Sequence, residues 1–423
     1  MSVYPKSVFI DDDAVLRAKR GIMYDFLAPD GSESRDAADV IYARFREFSK
    51  RIRSSDDYLD LKLSVEALSG GTNTVILDDR GLPSVMVLLP KMDSANLSNG
   101  LESRIHPAFK VDGKVHDTVA IGKYVSYVRD GRAYSMPYRD PANMYTFDES
   151  VALCRNKGKG WGIVPLSLWS AIALWCKKNG TLPEGNTNYG QFNDDPTSFA
   201  PPGEVGADGR SMRTLTGAGP KSWFHNGNWD GIADLCGNVH EWVSGFRVCR
   251  GELQIIPDAD AMNADCDLSF TSDRWRAILP DGSLTNPGSK ESLKLDYIKF
   301  PDRNAFADYG DVNGRWVISQ EITCPLKEKG GAPLREMGLA AGLDSAPQIL
   351  IELGLFPERE LTGVPYANDI LSGPNNMEET IPAMGGQWYD YTYWCGGVFN
   401  NSFWYERELQ GNTYGMRLAY YDL

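Results

Sequence analysis

Apolar residues recur at helical spacing early in the chain. Ile41, Phe45, Phe48 and Ile52 lie three or four apart between Asp36 and Arg53, with Arg and Lys between them, which predicts one amphipathic helix that packs locally or against copies of itself. The period then changes to two. Thr74–Leu77 and Ser84–Leu89 are short β-rich runs divided by Asp-Asp-Arg-Gly at 78–81, the composition of a hairpin turn. A further strand is expected over Thr118–Val128. Thr146 and Glu149, three apart, form a capping box that should open a short helix over Val151–Asn156. A second helix is expected over Leu166–Lys178, with Leu168, Ile172 and Trp175 as its apolar stripe, Lys177 and Lys178 at the negative end of its dipole, and Gly180 as its left-handed stop.

Beyond Gly180 the periodicity fades. Gly, Asn, Asp, Pro and aromatic residues dominate, as in Gly185-Asn-Thr-Asn-Tyr-Gly190, and 11 Trp with 20 Tyr are too many for an unfolded polar tract. Long loops pinned by aromatic side chains on a small scaffold are the expectation. No Trp precedes Trp161, a composition shift that divides the 423 residues into an N-terminal module over 1–120 and a larger domain over 121–423. The fold class expected is α+β, the N-terminal module being a smaller α+β or β unit.

Charge narrows the partners. Forty-three Lys and Arg face 57 Asp and Glu, and a net charge of −14 opposes extended contact with nucleic acid or anionic lipid. The chain shows no leader pattern and no apolar run of membrane-spanning length, so a soluble protein without membrane insertion is expected. Seven scattered cysteines, never spaced Cys-x-x-Cys, read as buried apolar residues. The four histidines show no metal-ligand spacing, and no cofactor is expected.

The most specific local signal is Gly231-Ile-Ala-Asp-Leu-Cys-Gly-Asn-Val-His-Glu-Trp242. It resembles the Gly-Asn-Val-Trp-Glu-Trp core motif of formylglycine-generating-enzyme-like domains, which have a C-type-lectin-like fold; His240 stands where a Trp is usual. The helix around Trp169, the Gly396-Gly397-Val-Phe399 segment and Tyr414-Gly415-Met-Arg417 resemble further pieces of that family in the same order. The resemblance implies a C-type-lectin-like C-terminal domain with long irregular loops. Within its motif Gly237 and Asn238 are expected to make a turn, Glu241 a buried hydrogen bond or ion pair, and Trp242 a core plug. Related domains hold calcium near this motif. Asn238 and Glu241 are oxygen ligands of the right type, though two side chains fall short of the six to eight oxygens calcium takes.

Active members of the family oxidise a cysteine with copper on paired thiols. Here Gly385–Leu423 contains only Cys395, so the resemblance implies a protein without that activity. The histidine-iron branch also lacks its spacing in the first 120 residues. What remains is a Tyr/Trp-rich segment interleaved with Asn, Ser and Gly, the composition of a binding face. Gln387, Tyr389, Asp390, Tyr391, Tyr393, Trp394, Asn400, Asn401, Ser402, Trp404 and Tyr405 are its candidate ligand-binding residues, while about half of Trp388, Phe399 and Phe403 should face inward. Gly385-Gly386-Gln-Trp, Gly397-Val-Phe and Gly415-Met-Arg417 also resemble the variable proteins of diversity-generating retroelements, and Ala173–Gly180, Gly185–Gly190 and Gly251–Pro257 resemble tail-associated proteins of bacteriophages. These resemblances imply a non-catalytic adhesin on a virion tail or cell surface that binds a host-surface receptor, protein or glycan, and forms a homo-oligomer. A structural tail component, or a divergent oxidase or hydrolase, are the alternatives.

Overall fold

The computed structural model describes residues 55–300, 314–325, 329–359, 362–366, 369–374, 377–390, 397–403 and 406–423. The helix expected over 36–53 lies outside them. Architecture is mixed α+β, dominated by sheets with few helices. The predicted hairpin forms from Asn73–Leu77 and Pro83–Pro90, paired antiparallel with Asn73 opposite Val87. Its turn is held by Asp78, whose Oδ1 accepts from the backbone N–H of Arg80 (3.0 Å) and Leu82 (2.8 Å).

This hairpin does not stand apart. Pro83–Pro90 pairs with Thr118–Gly122, which pairs with Leu418–Tyr420, which in turn pairs with Trp161–Ile163. The boundary expected at 120/121 therefore falls inside a strand, and residues from 73 onward share one sheet with the C-terminal strand. Composition carries no information on which strands pair: Trp161, Trp242 and Trp316 lie in strands of three different sheets. The strand expected over Thr118–Val128 is two, Thr118–Gly122 and Ser126–Arg129, the latter forming a hairpin with Arg132–Ser135.

Both helix signals act as physical chemistry dictates. Thr146 and Glu149 close a reciprocal capping box, and the helix begins at once, covering Phe147–Arg155. Leu166–Asn179 ends at Gly180 with φ 72°, in the left-handed region. This second helix is buried almost all round, and Trp169 donates from Nε1 to Val398 O (2.7 Å), tying it to the C-terminal segment. Residues 181–239 are mainly loop, with a 3-10 turn at Lys221–Trp223 and isolated bridges.

A second sheet contains Arg276–Ile278, Glu252–Ile255, Lys294–Lys299 and Gly314–Ser319. The third carries the motif residues: Ile370–Pro374, Asn401–Ser402, Ala383–Met384, His240–Trp242 and Tyr414–Met416 are successive neighbours in it. The largest apolar core, including Trp169, Leu174, Trp316, Phe399 and Phe403, packs the Leu166–Asn179 helix against strands of all three.

Candidate functional site

The two motifs singled out in the sequence lie side by side. His240–Trp242 runs parallel to Tyr414–Met416, with Gly415 opposite Glu241, and antiparallel to Ala383–Met384, with Met384 opposite Glu241. Arg417 follows directly and is fully buried. Its Nε donates to Glu241 Oε2 (2.8 Å) and its Nη2 to Glu241 Oε1 (2.6 Å), while Nη1 reaches Gly122 O (2.9 Å) and Nη2 Ala233 O (2.9 Å). The fork geometry of the guanidinium thus ties four chain segments together. Burial pushes the Glu241 carboxyl above its usual range, and Arg417 opposes that.

Gly237 has φ 67°, and a Cβ there would overlap Asn186 O. Asn238, at φ 68°, accepts at Oδ1 from Thr214 N (2.8 Å) and Asn186 Nδ2 (3.3 Å), and donates from Nδ2 to Thr214 O (3.1 Å). Calcium at Asn238 and Glu241 does not fit this geometry: the amide is committed to Thr214 and the carboxylate to Arg417. Among the described residues no group of three or more His, Cys, Asp or Glu is placed to hold a metal ion. Trp242 is fully buried and donates to Tyr145 O (3.3 Å). His240 fills the position of the expected aromatic by stacking on Tyr414, with ring centroids 5.2 Å apart and planes at 26°. Desolvation lowers its pKa to about 3, so it packs as a neutral ring.

This frame carries a surface turn. Gly237 N donates to Gly385 O (2.7 Å), and Trp388 N donates to Asn238 O (3.2 Å). Gln387 and Asp390 close the turn: the Asp390 carboxylate accepts from Gln387 N (2.9 Å) and Gln387 Nε2 (3.1 Å). Desolvation raises the Asp390 pKa to about 7 against the pull of those bonds. Trp388 is buried between two rings, Tyr189 at 5.2 Å and Tyr389 at 4.6 Å, each edge-on. Tyr189 N donates to Trp388 O (2.8 Å), and the exposed Arg210 guanidinium lies 3.6 Å over the Tyr189 ring. Gln387, Tyr389, Asp390 and Tyr189 are all partly exposed.

Asn400, Asn401 and Ser402 are corrections to the expected ligand face. They are buried, Asn401 at 0 % exposure, because Asn401–Ser402 is an inner strand between Ile370–Pro374 and Ala383–Met384. Trp388, Phe399 and Phe403 are all buried too, where half were expected inward. Gly397 packs against the Asp369 carboxylate, whose Oδ1 accepts from Phe399 N (3.0 Å) and whose Oδ2 has no hydrogen-bond partner among the described residues. Burial raises the Asp369 pKa to about 7. Tyr391, Tyr393, Trp394, Cys395, Gly396, Trp404 and Tyr405 lie outside the described residues.

The sequence reading missed Tyr189 and Arg210 as site residues. The signal for Tyr189 was the Gly185–Gly190 run, where it sits between turn residues and takes φ 52°; nothing local announced that it would meet Trp388 or Arg210. No protein-family model matches the chain, and no curated protein matches it significantly. Among solved structures it is similar to "Structure of PvdO from Pseudomonas aeruginosa", at 14% identity and TM-score 0.31, covering 82% of this chain and 97% of that one. So slight a likeness carries neither fold detail nor activity.

Proposed function

We propose that this chain is a non-catalytic ligand-binding protein whose C-terminal segment presents aromatic and small polar side chains to a host-surface receptor, on a scaffold of the C-type-lectin-like, formylglycine-generating-enzyme type. The scaffold reading is supported by the way the resembling motifs meet: Gly237–Trp242 and Gly415–Arg417 are adjacent strands and turns locked by Glu241 and Arg417. One observation carries the binding reading. The Gln387–Asp390 turn is fixed by backbone bonds to the frame and backed by buried Trp388, while Tyr389, Tyr189 and Arg210 keep exposed surface. Rigid rings and a guanidinium on an ordered support give contact area at low entropy cost. The biological setting proposed is a bacteriophage tail or cell-surface adhesin related to the variable proteins of diversity-generating retroelements.

Two experiments test this. Purified protein is probed against an array of bacterial surface glycans and a panel of surface-protein ectodomains. Binding that Tyr389→Ala and Arg210→Ala abolish, with melting temperature unchanged, is the expected result; binding indifferent to both substitutions, or no binding on either panel, overturns it. For diversification, the DNA flanking the gene is sequenced. A near-copy of the codons for Gly385–Leu423 differing mainly at adenines, beside a reverse-transcriptase gene, is expected, and its absence removes that part of the proposal.

A further inference from the structure

The Lys157 amine is buried beside a carboxylate that it does not reach. Its residue is 0 % exposed, and among the described residues Nζ makes no hydrogen bond. It lies over two rings, 3.7 Å from the centroid of Tyr134 and 4.4 Å from that of Trp161, and 3.9 Å from Asp78 Oδ2. The Asp78 carboxylate is already engaged: Oδ1 holds the turn through Arg80 N and Leu82 N, and Oδ2 accepts from the Tyr134 hydroxyl (2.7 Å) and Arg132 Nη1 (3.1 Å). An ammonium in this place keeps the attraction of rings and carboxylate but loses the hydrogen bonds its three donors would make in water.

The walls around the amine differ in how they can yield. Tyr134, Arg132, Cys154 and Trp161 are buried in strands and a helix, whereas Asp79 and Arg80 in the Asp78–Gly81 turn are exposed. The turn rests on Lys157 itself, because Asp79 N donates to Lys157 O (3.0 Å), and Gly81 N closes it on Asp78 O (2.9 Å). Opening this turn is therefore the short route by which the amine meets water. The charged and titratable groups that face it are Asp78 and Asp79 from the turn, Arg132 and Tyr134 from the strand Arg132–Ser135, and Cys154 from the helix Phe147–Arg155.

We propose that Lys157 couples opening of the Asp78–Gly81 turn to the uptake of one proton, the closed turn holding a neutral amine and the open turn a hydrated ammonium. Desolvation lowers the pKa of the buried amine to about 7 against the pull of Asp78, and an open turn restores the ordinary lysine value, near 10.4. Between those values opening binds a proton, so the open population falls as pH rises; below about 7 both states carry the proton and the coupling vanishes. The facing groups leave that window clear. Burial pushes the Cys154 thiol up to about 12 and raises the Tyr134 phenol, and the ordinary values of both lie at about 8.5 and above. Burial opposes ionisation of Asp78, but its bonds from Leu82 and Tyr134 outweigh that and hold its carboxyl below the usual range. The device stands apart from the ligand face, so either reading can fail alone.

The test is native-state hydrogen exchange of the full chain, read on a peptide covering residues 76–83 and corrected for the intrinsic exchange rate at each pH. In wild type the opening constant of the turn is expected to fall roughly tenfold between about pH 7 and 8.5. The Asp281–Ser283 turn of the second sheet should stay flat over the same range. Lys157→Met, which cannot titrate, is expected to give a flat, low opening constant, and Lys157→Arg, which keeps its charge, a flat, high one. The wild-type profile stands as a test even where a variant does not fold. A flat wild-type profile overturns the proposal, and so does a slope retained in either variant.

Discussion

The Glu241–Arg417 frame and the Gln387–Asp390 turn are neighbours in space and differ in how their buried charges are paired. In the frame both oxygens of Glu241 accept from Arg417, and both side-chain atoms of Asn238 are bonded. Around the turn, more polar atoms are left over: among the described residues Trp388 Nε1, both amide atoms of Asn401 and Asp369 Oδ2 are buried without a hydrogen bond, whereas in the frame His240 Nδ1 and Thr214 Oγ1 are. Buried polar groups are normally satisfied, and each exception costs free energy. The difference teaches where this chain specifies its fold and where it tolerates tension. The frame fixes position, while the segment beside it holds groups that a tightly optimised core would have paired or replaced.

Breaking the frame should have the largest effect. Trp242→Ala should destabilise by about 3–5 kcal/mol through the cavity it opens. Arg417→Met should do so to a similar extent, about 3–5 kcal/mol, by stranding the Glu241 carboxylate without its counter-charge. Chemical denaturation measures both, and a loss below about 1 kcal/mol in either would remove the frame's special standing. Next comes the turn's own tension. A carboxyl whose pKa is raised on folding supports the fold fully below its unfolded value, near 4, and that support is lost as pH rises through the folded value. With Asp369 and Asp390 both raised to about 7, stability should fall between about pH 4 and 8. Asp369→Asn should flatten that fall by at most about 2–4 kcal/mol, visible as a smaller drop in melting temperature from acid to neutral pH. An unchanged slope would show that Asp369 does not titrate in this window.

The smallest stability effects belong to the surface. Arg210→Ala and Tyr389→Ala should each stay within about 0.5 kcal/mol of wild type. If either melts like Trp242→Ala, that side chain belongs to the frame and the contrast drawn above collapses.

Local signals were legible and distant ones were not. Thr146 and Glu149, Gly180 and the Asp78 turn each act within a few residues, and spacing alone placed their elements. Glu241 was expected to take a buried partner; that the partner is Arg417 depends on strand pairing, which periodicity does not encode. Asn401 shows the opposite failure. Its aromatic and small-polar surroundings have the composition of a binding face, but the two-residue strand it sits on has paired neighbours on both sides, and pairing buried it. Tyr189 meets Trp388 only because two loops distant in sequence are bonded together. The expected boundary at 120/121 falls inside Thr118–Gly122 for the same reason, since pairing between strands distant in sequence leaves no trace in composition.

That sheet also sets a timetable for biosynthesis. Leu418–Tyr420 inserts between Thr118–Gly122 and Trp161–Ile163, so these two strands wait with open edges until Leu418–Tyr420 has left the ribosome. Nascent protein is then most vulnerable to aggregation just before Leu418–Tyr420 arrives, and a premature stop codon ahead of Leu418 would leave a gap in the middle of this sheet and not a trimmed edge.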